Sequence, residues 1–270
     1  MLYYDLGKDI TAYTTDRTIG RDGEKIRAAL GAHEAPFFYP HQVHTDKIYK
    51  VDEAFLAESA VRQKELLEGV DAVITNLPGV ILGISTADCI PVLVYDPVHH
   101  AAAAIHAGWR GTLLRIVEKA IDLMQQQYGT QPYQCSAAIG PGISVDSFEV
   151  GEEVFRQFLD AGFSMDGVTT WMPNRHRGEQ PALKPHIDIK EINRRQLLSK
   201  GVEAQKITIS SIDTFTDERF FSARREQQGT VKCGRILTGF ILTTISNDKT
   251  DTHTDLGALR HPLNSTANEA

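Results

Sequence analysis

A chain of 270 residues with 41% hydrophobic and 23% charged content can bury a substantial core and has the ordinary make-up of a soluble globular protein. With 35 acidic against 28 basic side chains and a net charge of −7, it carries no basic footprint for nucleic acid or anionic lipid, so a small substrate is expected rather than a polymer. Three cysteines, Cys89, Cys135 and Cys233, are too few and odd in number for a disulfide framework, which predicts free thiols in a reducing compartment.

Residues 1–9 carry acidic groups where a signal peptide needs a basic segment and then an apolar run. The longest apolar stretches, 80–84 and 90–94, fall far short of the roughly 20 residues of a membrane helix, so a cytoplasmic protein without a membrane partner is expected. Residues 21–31 predict a short helix closed by Gly31, after which the chain passes Pro36 and Pro40 to reach His41 and His44, ahead of a strand at 47–51. Short apolar runs at 70–75, 80–85, 90–95 and 101–106, separated by turns at 76–79 and 96–97, predict the strands of the core.

The segment 112–128 sets Leu113, Ile116, Val117, Ala120, Ile121 and Met124 at helical spacing and ends at Gly129. A second helix is predicted around 153–159, after Gly140-Pro141-Gly142, and a third from Asp188 to Gly201, with Glu191 as a capping-box partner. Strands are predicted at 207–210, 220–223 and 236–245. No linker divides the chain, so one catalytic domain is expected over 1–245, followed by a polar, aperiodic and disordered tail over 246–270.

Two predicted strands end in chemistry. Cys89 follows Asp88 where the run from 80 breaks, and His106 ends the small-residue strand just before Gly108-Trp109-Arg110-Gly111-Thr112. A thiol and an imidazole at adjacent strand ends suit either a nucleophile–base pair or a metal site. His41 and His44 are three apart, so an extended segment would turn at most one of them toward this pair, and His44 is the nearer to the strand. Arg110, between two glycines ahead of a helix, offers a planar fork to phosphate or carboxylate. Arg224, Arg225 and Arg235 gather basic groups around an aromatic run and could hold an anionic or planar ligand. No dinucleotide fingerprint, Walker motif, HExxH or GxSxG element is present.

Gln42-Val43-His44, Asp71-Ala72-Val73-Ile74-Thr75, Thr86-Ala87-Asp88-Cys89-Ile90-Pro91, His106-Ala107-Gly108-Trp109-Arg110-Gly111-Thr112, Ala138-Ile139-Gly140-Pro141, Phe221-Ser222-Ala223-Arg224-Arg225 and Gly234-Arg235, in this order, resemble the YfiH/LACC1 family. Its members are also called laccase-domain or multicopper polyphenol oxidase proteins. The resemblance implies an α+β fold of layered mixed β-sheets flanked by helices, an α/β/β/α-like sandwich. It implies zinc held by His44, Cys89 and His106, with copper as the alternative ion. The implied activity is purine nucleoside phosphorylase, acting on adenosine, inosine or S-methyl-5′-thioadenosine with phosphate, with adenosine deamination on the side; a homodimer is a family-level expectation.

Carried over, Cys89 becomes a ligand, Arg110 and then Arg224 or Arg225 hold phosphate, and Asp88 is the candidate proton shuttle for deamination. The chain departs from the family in a short segment after residue 17, and in Asp213 and Ser147, which stand where many members have cysteine. Loss of two soft ligands weakens a copper-cluster reading. The competing expectations are a metal-free Cys89/His106 hydrolase, a copper phenol oxidase and a structural zinc domain.

Overall fold

The computed structural model describes residues 1–174, 180–229 and 234–244. In chain order, β1 (Leu2–Tyr4) and β2 (Ile10–Thr14) are followed by α1 (Gly23–Leu30), β3 (Phe37–Phe38), β4 (Ile48–Lys50), α2 (Glu53–Ala57) and α3 (Ala60–Leu66). The central strands are β5 (Ala72–Thr75), β6 (Ile81–Thr86), β7 (Ile90–Asp96) and β8 (Ala101–Ala107). Then come α4 (Trp109–Leu113), α5 (Ile116–Tyr128), β9 (Ser136–Ile139), α6 (Glu152–Asp160) and a hairpin of β10 (Thr169–Pro173) and β11 (Leu183–Ile187). The last elements are α7 (Ile189–Ser199), β12 (Ile207–Ile209), α8 (Ala223–Gln227) and β13 (Ile236–Leu242).

A five-stranded sheet, β1-β2-β13-β6-β3, packs on a six-stranded sheet, β12-β9-β7-β8-β5-β4. Every residue of β7 is buried because both of its faces are covered. Leu93 and Tyr95 turn inward to Leu82, Ile84 and Phe240 of the other sheet, whereas Ile90, Val92 and Val94 join Ile116, Val117 and Ile121 of α5 on the outer face. In β8, Ala101 to Ala104 bury side chains so small that the layers on both sides approach closely. Ile26 of α1 seals the far side of the five-stranded sheet against Tyr13, Ile81 and Leu237. The order helix, sheet, sheet, helix is the α+β sandwich that the resemblance implies.

Three expectations are corrected. The helix expected over 112–128 is two: Arg115 takes a left-handed backbone (φ 60°) between α4 and α5, and its guanidinium lies 4.1 Å over the Phe163 ring. No strand forms at 220–223, because Ser222 caps α8 by accepting the Arg225 N–H at 3.2 Å, so the arginines flank a helix start. Asp188 caps α7 through the Glu191 N–H at 2.9 Å, but the Glu191 carboxylate turns to Arg194 and Arg195, which leaves half a capping box. Strands β1, β2, β3, β9, β10 and β11 and helices α2 and α3 are additions to the sequence reading. Cys233, residue 245 of the last strand and the tail over 246–270 lie outside the described residues. Among the described residues, no helix is long and apolar enough to cross a membrane.

Gly83 and Gly239 face each other across β6 and β13. A Cβ on Gly239 would stand 2.3 Å from the Leu82 carbonyl oxygen, and one on Gly83 would stand 2.9 Å from that of Thr238. Gly239→Ala must therefore push backbone rather than a yielding side chain. We expect it to lower unfolding stability by about 3 kcal/mol in denaturant titration; an unchanged midpoint would contradict this close approach.

Candidate active site

β6 belongs to one sheet and β7 to the other, so Ala87, Asp88 and Cys89 carry the chain across the gap between layers. The corner is sharp: Asp88 has φ 82°, a left-handed conformation that aspartate tolerates better than most residues. Its carboxylate accepts from Thr214 Oγ1 (2.7 Å), Ser222 Oγ (2.9 Å) and the Arg224 N–H (2.7 Å). Cys89 is thereby fixed at the start of β7, where the adjacent β8 brings His106 opposite Pro91.

The next strand contributes Asp71, which precedes β5 and is fully buried. It accepts from His106 Nδ1 at 2.7 Å, and the N–H groups of Val43, His44 and Thr45 and the Thr45 hydroxyl wrap around the same carboxylate at 2.8–3.2 Å. One buried acid therefore orients one histidine directly and holds the turn that presents the other. His44 sits in that turn with φ 66°, and on its other flank the Gln42 side chain pairs with both the N–H (2.7 Å) and the C=O (2.9 Å) of Ser85 in β6.

His44 Nε2 comes within 3.7 Å of Cys89 Sγ, and the two imidazoles meet edge to face at 4.9 Å between centroids. The ligand atoms of His44, Cys89 and His106 all lie within 4.8 Å of one another. That spacing suits one ion with bonds of about 2.0–2.3 Å, and a donor set of one sulfur and two imidazole nitrogens suits zinc or copper rather than magnesium or calcium. Gly108 makes the convergence possible, since a Cβ there would stand 2.9 Å from the thiol sulfur and 3.2 Å from the His44 ring.

The electrostatics are those of a coupled trio. Burial opposes ionisation of Asp71, but hydrogen bonds from His106 and Thr45 outweigh it and hold the carboxyl at about 2. Burial also opposes the thiolate, yet the charge and hydrogen bonds of His106 and His44 bring Cys89 down to about 6. His106, disfavoured as a cation by burial, is raised to about 9 by Cys89 and Asp71. Because Asp71 is ionised, it holds the His106 proton on Nδ1, and Nε2 is the nitrogen that binds a metal, giving up its own proton when it does.

These groups line a cavity of about 1150 Å³. Phe37, Phe38 and Tyr39 form an apolar part of its wall, and Arg21, Arg224 and Arg235 a cationic part. Of the residues singled out in the sequence, His44, Asp88, Cys89, His106, Arg224 and Arg235 come together here. Arg110 and Arg225 do not line the cavity: Arg110 is exposed and lies 4.3 Å over the Trp109 ring, and Arg225 reaches the Phe220 carbonyl. His41 lines the rim but pairs with Glu68. Ser147 and Asp213 are in contact, Ser147 Oγ donating to Asp213 at 2.5 Å beside Thr214.

Sequence reasoning missed the roles of Asp71, Gln42 and Gly108. An acid opening an otherwise apolar strand and a glycine directly after a histidine strand end were the available signals.

A protein of Bacteroides thetaiotaomicron named purine nucleoside phosphorylase is 45% identical over 231 residues, 83% of this chain and 82% of its own length. Adenosine deaminase RL5, from an unknown prokaryotic organism, is 36% identical over 78% of this chain and 76% of its own. The solved structure of YlmD from Geobacillus stearothermophilus has the same fold, with a TM-score of 0.73 at 24% identity over 87% of this chain and 93% of that one. A family model described as multi-copper polyphenol oxidoreductase laccase matches residues 11–243. Fold, ordered motifs and this match agree, and the chain belongs to that family.

Proposed function

We propose that this protein is a zinc-dependent purine nucleoside phosphorylase, converting adenosine, inosine or S-methyl-5′-thioadenosine and phosphate to the base and a pentose 1-phosphate, with adenosine deamination as a side activity. The observation that carries this reading is the convergence of His44, Cys89 and His106 beside a cavity with aromatic and cationic walls. It is supported by the relatives named purine nucleoside phosphorylase and adenosine deaminase. Residues 1–245 act as one catalytic unit in this reading.

Phosphorolysis joins a phosphate oxygen to the anomeric carbon while the bond from that carbon to purine N9 breaks. The purine leaves with the bonding electrons and takes up a proton. His44, Cys89 and His106 would hold the zinc, and Asp71 fixes the His106 tautomer and the His44 turn. Bound zinc supplies a Lewis acid and lowers the pKa of coordinated water. Arg224, in the cavity wall, faces the negative charge of the phosphate, and the aromatic ledge of Phe37, Phe38 and Tyr39 offers a surface to the purine. In deamination a water oxygen replaces the amino group at purine C6 and ammonia leaves. Asp88, whose carboxylate already accepts three hydrogen bonds, acts here as a positioning residue for Cys89 and Arg224.

One alternative has specific support. Cys89, His106 and Asp71 also form the order of a thiol hydrolase triad, with an ionised thiol and an oriented imidazole. The third ligand, His44, favours metal over that reading, and zinc that protects Cys89 from alkylation would exclude the metal-free hydrolase. A multicopper oxidase needs several copper sites. Among the described residues, the trio is the one group of three or more converging ligand side chains.

The test is product analysis. Metal-assayed protein given inosine should form hypoxanthine and ribose 1-phosphate only with phosphate present, and given adenosine should also form inosine. Turnover that ignores phosphate and yields free ribose would overturn the phosphorylase assignment.

A further inference from the structure

Arg21 appears in none of the motifs that carry the resemblance, yet it lines the cavity. Its backbone is pinned between two fixed points. Gly20, with φ 57°, accepts the Thr15 hydroxyl at 2.7 Å and has its N–H bound to the Asp16 carbonyl, while Asp22 caps α1. From there the guanidinium lies 5.3 Å over the Tyr39 ring and donates to Ser85 Oγ at 3.3 Å. Ser85 is the residue that Gln42 clamps, four positions before Cys89. The guanidinium, although exposed, is thus guided by two contacts to the segment that leads into the metal-binding trio.

The charge around it is unbalanced. In a protein of net charge −7, the cavity is lined, among the described residues, by Arg21, Lys64, Arg224 and Arg235 and by one carboxylate, Asp88, which is already hydrogen-bonded three times. Among the described residues no carboxylate forms an ion pair with Arg21; its contacts are a ring face and a hydroxyl. A guanidinium held in place by stacking, with donors left over, is suited to a tetrahedral oxyanion.

We infer that Arg21, supported by Tyr39 and Ser85, is the principal anchor of an orthophosphate subsite in this cavity. The inference rests on the phosphorylase reading for the use of that anion and assigns it to a residue the sequence motifs do not mark. Arg110, stacked on the Trp109 ring, does not line the cavity.

The experiment is a phosphate titration at saturating inosine with the zinc-loaded wild type, Arg21→Gln, Arg21→Lys and the control Arg62→Gln, a residue on α3 that pairs with Glu65 outside the cavity. Arg21→Gln should raise the phosphate KM at least about tenfold while the inosine KM moves less than about threefold, and Arg21→Lys should recover part of the loss. Arg62→Gln should match the wild type. A phosphate KM for Arg21→Gln within about twofold of wild type overturns the inference and leaves the phosphorylase reading standing.

Thermal denaturation in phosphate against chloride at matched ionic strength tests the subsite without turnover. Phosphate should raise the wild-type Tm, and Arg21→Gln should lose that rise. Should the wild type fail to phosphorolyse inosine, the proposed function falls and this second measurement alone decides the subsite: an equal rise in both proteins overturns it.

Discussion

Replacing His106 or His44 with alanine, or Cys89 with serine, is expected to remove bound zinc and to lower kcat/KM for phosphorolysis by roughly a thousandfold or more, about 4 kcal/mol of transition-state stabilisation. The three side chains come from two strand ends and one turn, with ligand atoms within 4.8 Å, so none can replace another. The substitutions should differ in their effect on the fold. His44 is exposed in its turn, and its loss should leave the unfolding midpoint of metal-free protein within about 0.5 kcal/mol. His106 is buried against Asp71, and its loss removes the only cationic partner of a buried carboxylate among the described residues, which should cost several kcal/mol. Metal content by mass spectrometry and denaturation of the metal-free proteins read the two effects separately. Full zinc occupancy in any of the three variants would remove that residue from the ligand set.

The second large effect is expected at Asp71. Asp71→Asn keeps the shape but removes the charge that fixes His106 Nδ1–H and gathers three backbone N–H groups around His44. The amide keeps one acceptor oxygen and puts an N–H where the other stood, so either the contacts to His106 and the His44 N–H or those to Val43 and Thr45 are lost, and the charge is lost in both cases. Outer hydrogen-bond partners of metal ligands are typically worth 10–100-fold in metal affinity or activity. Because this one supports two ligands, a loss near the upper end, about 100-fold in zinc affinity, is expected by competition with a chelating dye. Wild-type affinity in Asp71→Asn would show that the carboxylate serves the fold and not the metal.

The strand ends at Cys89 and His106 were legible in the sequence because each apolar run breaks where the layered fold turns. His44, Asp88, Arg224 and Arg235 were also singled out there, but what supports and completes the site was not legible, for identifiable reasons. Asp71 reads as the polar edge of a strand until β5 is known to lie beside β8, which turns that edge residue into the partner of His106. His44 was placed by its neighbourhood to a strand, whereas its presentation depends on a left-handed turn that no local pattern marks.

Phe220, Phe221 and Ser222 have the composition of a strand, but the serine hydroxyl finds a helix N–H and the Asp88 carboxylate, and that tertiary contact decides the local structure. Arg115 likewise sits in an unbroken helical pattern, and the break coincides with its long-range contacts to Phe163 and the Ala161 carbonyl. The arginines divide in the same way. Arg110 lies in the strongest motif and stacks on Trp109 without lining the cavity, while Arg21 lies in none and lines it, because the cavity wall is assembled from segments far apart in the chain.

The most direct test of the account is a zinc titration of metal-stripped protein followed by inosine phosphorolysis, with bound metal counted in the same samples. Activity should rise in proportion to zinc and reach its plateau at one ion per chain, and Cys89→Ser should show neither the binding nor the rise. Full phosphorolysis before any zinc is added, or stoichiometric zinc binding that survives Cys89→Ser and leaves activity flat, would contradict it.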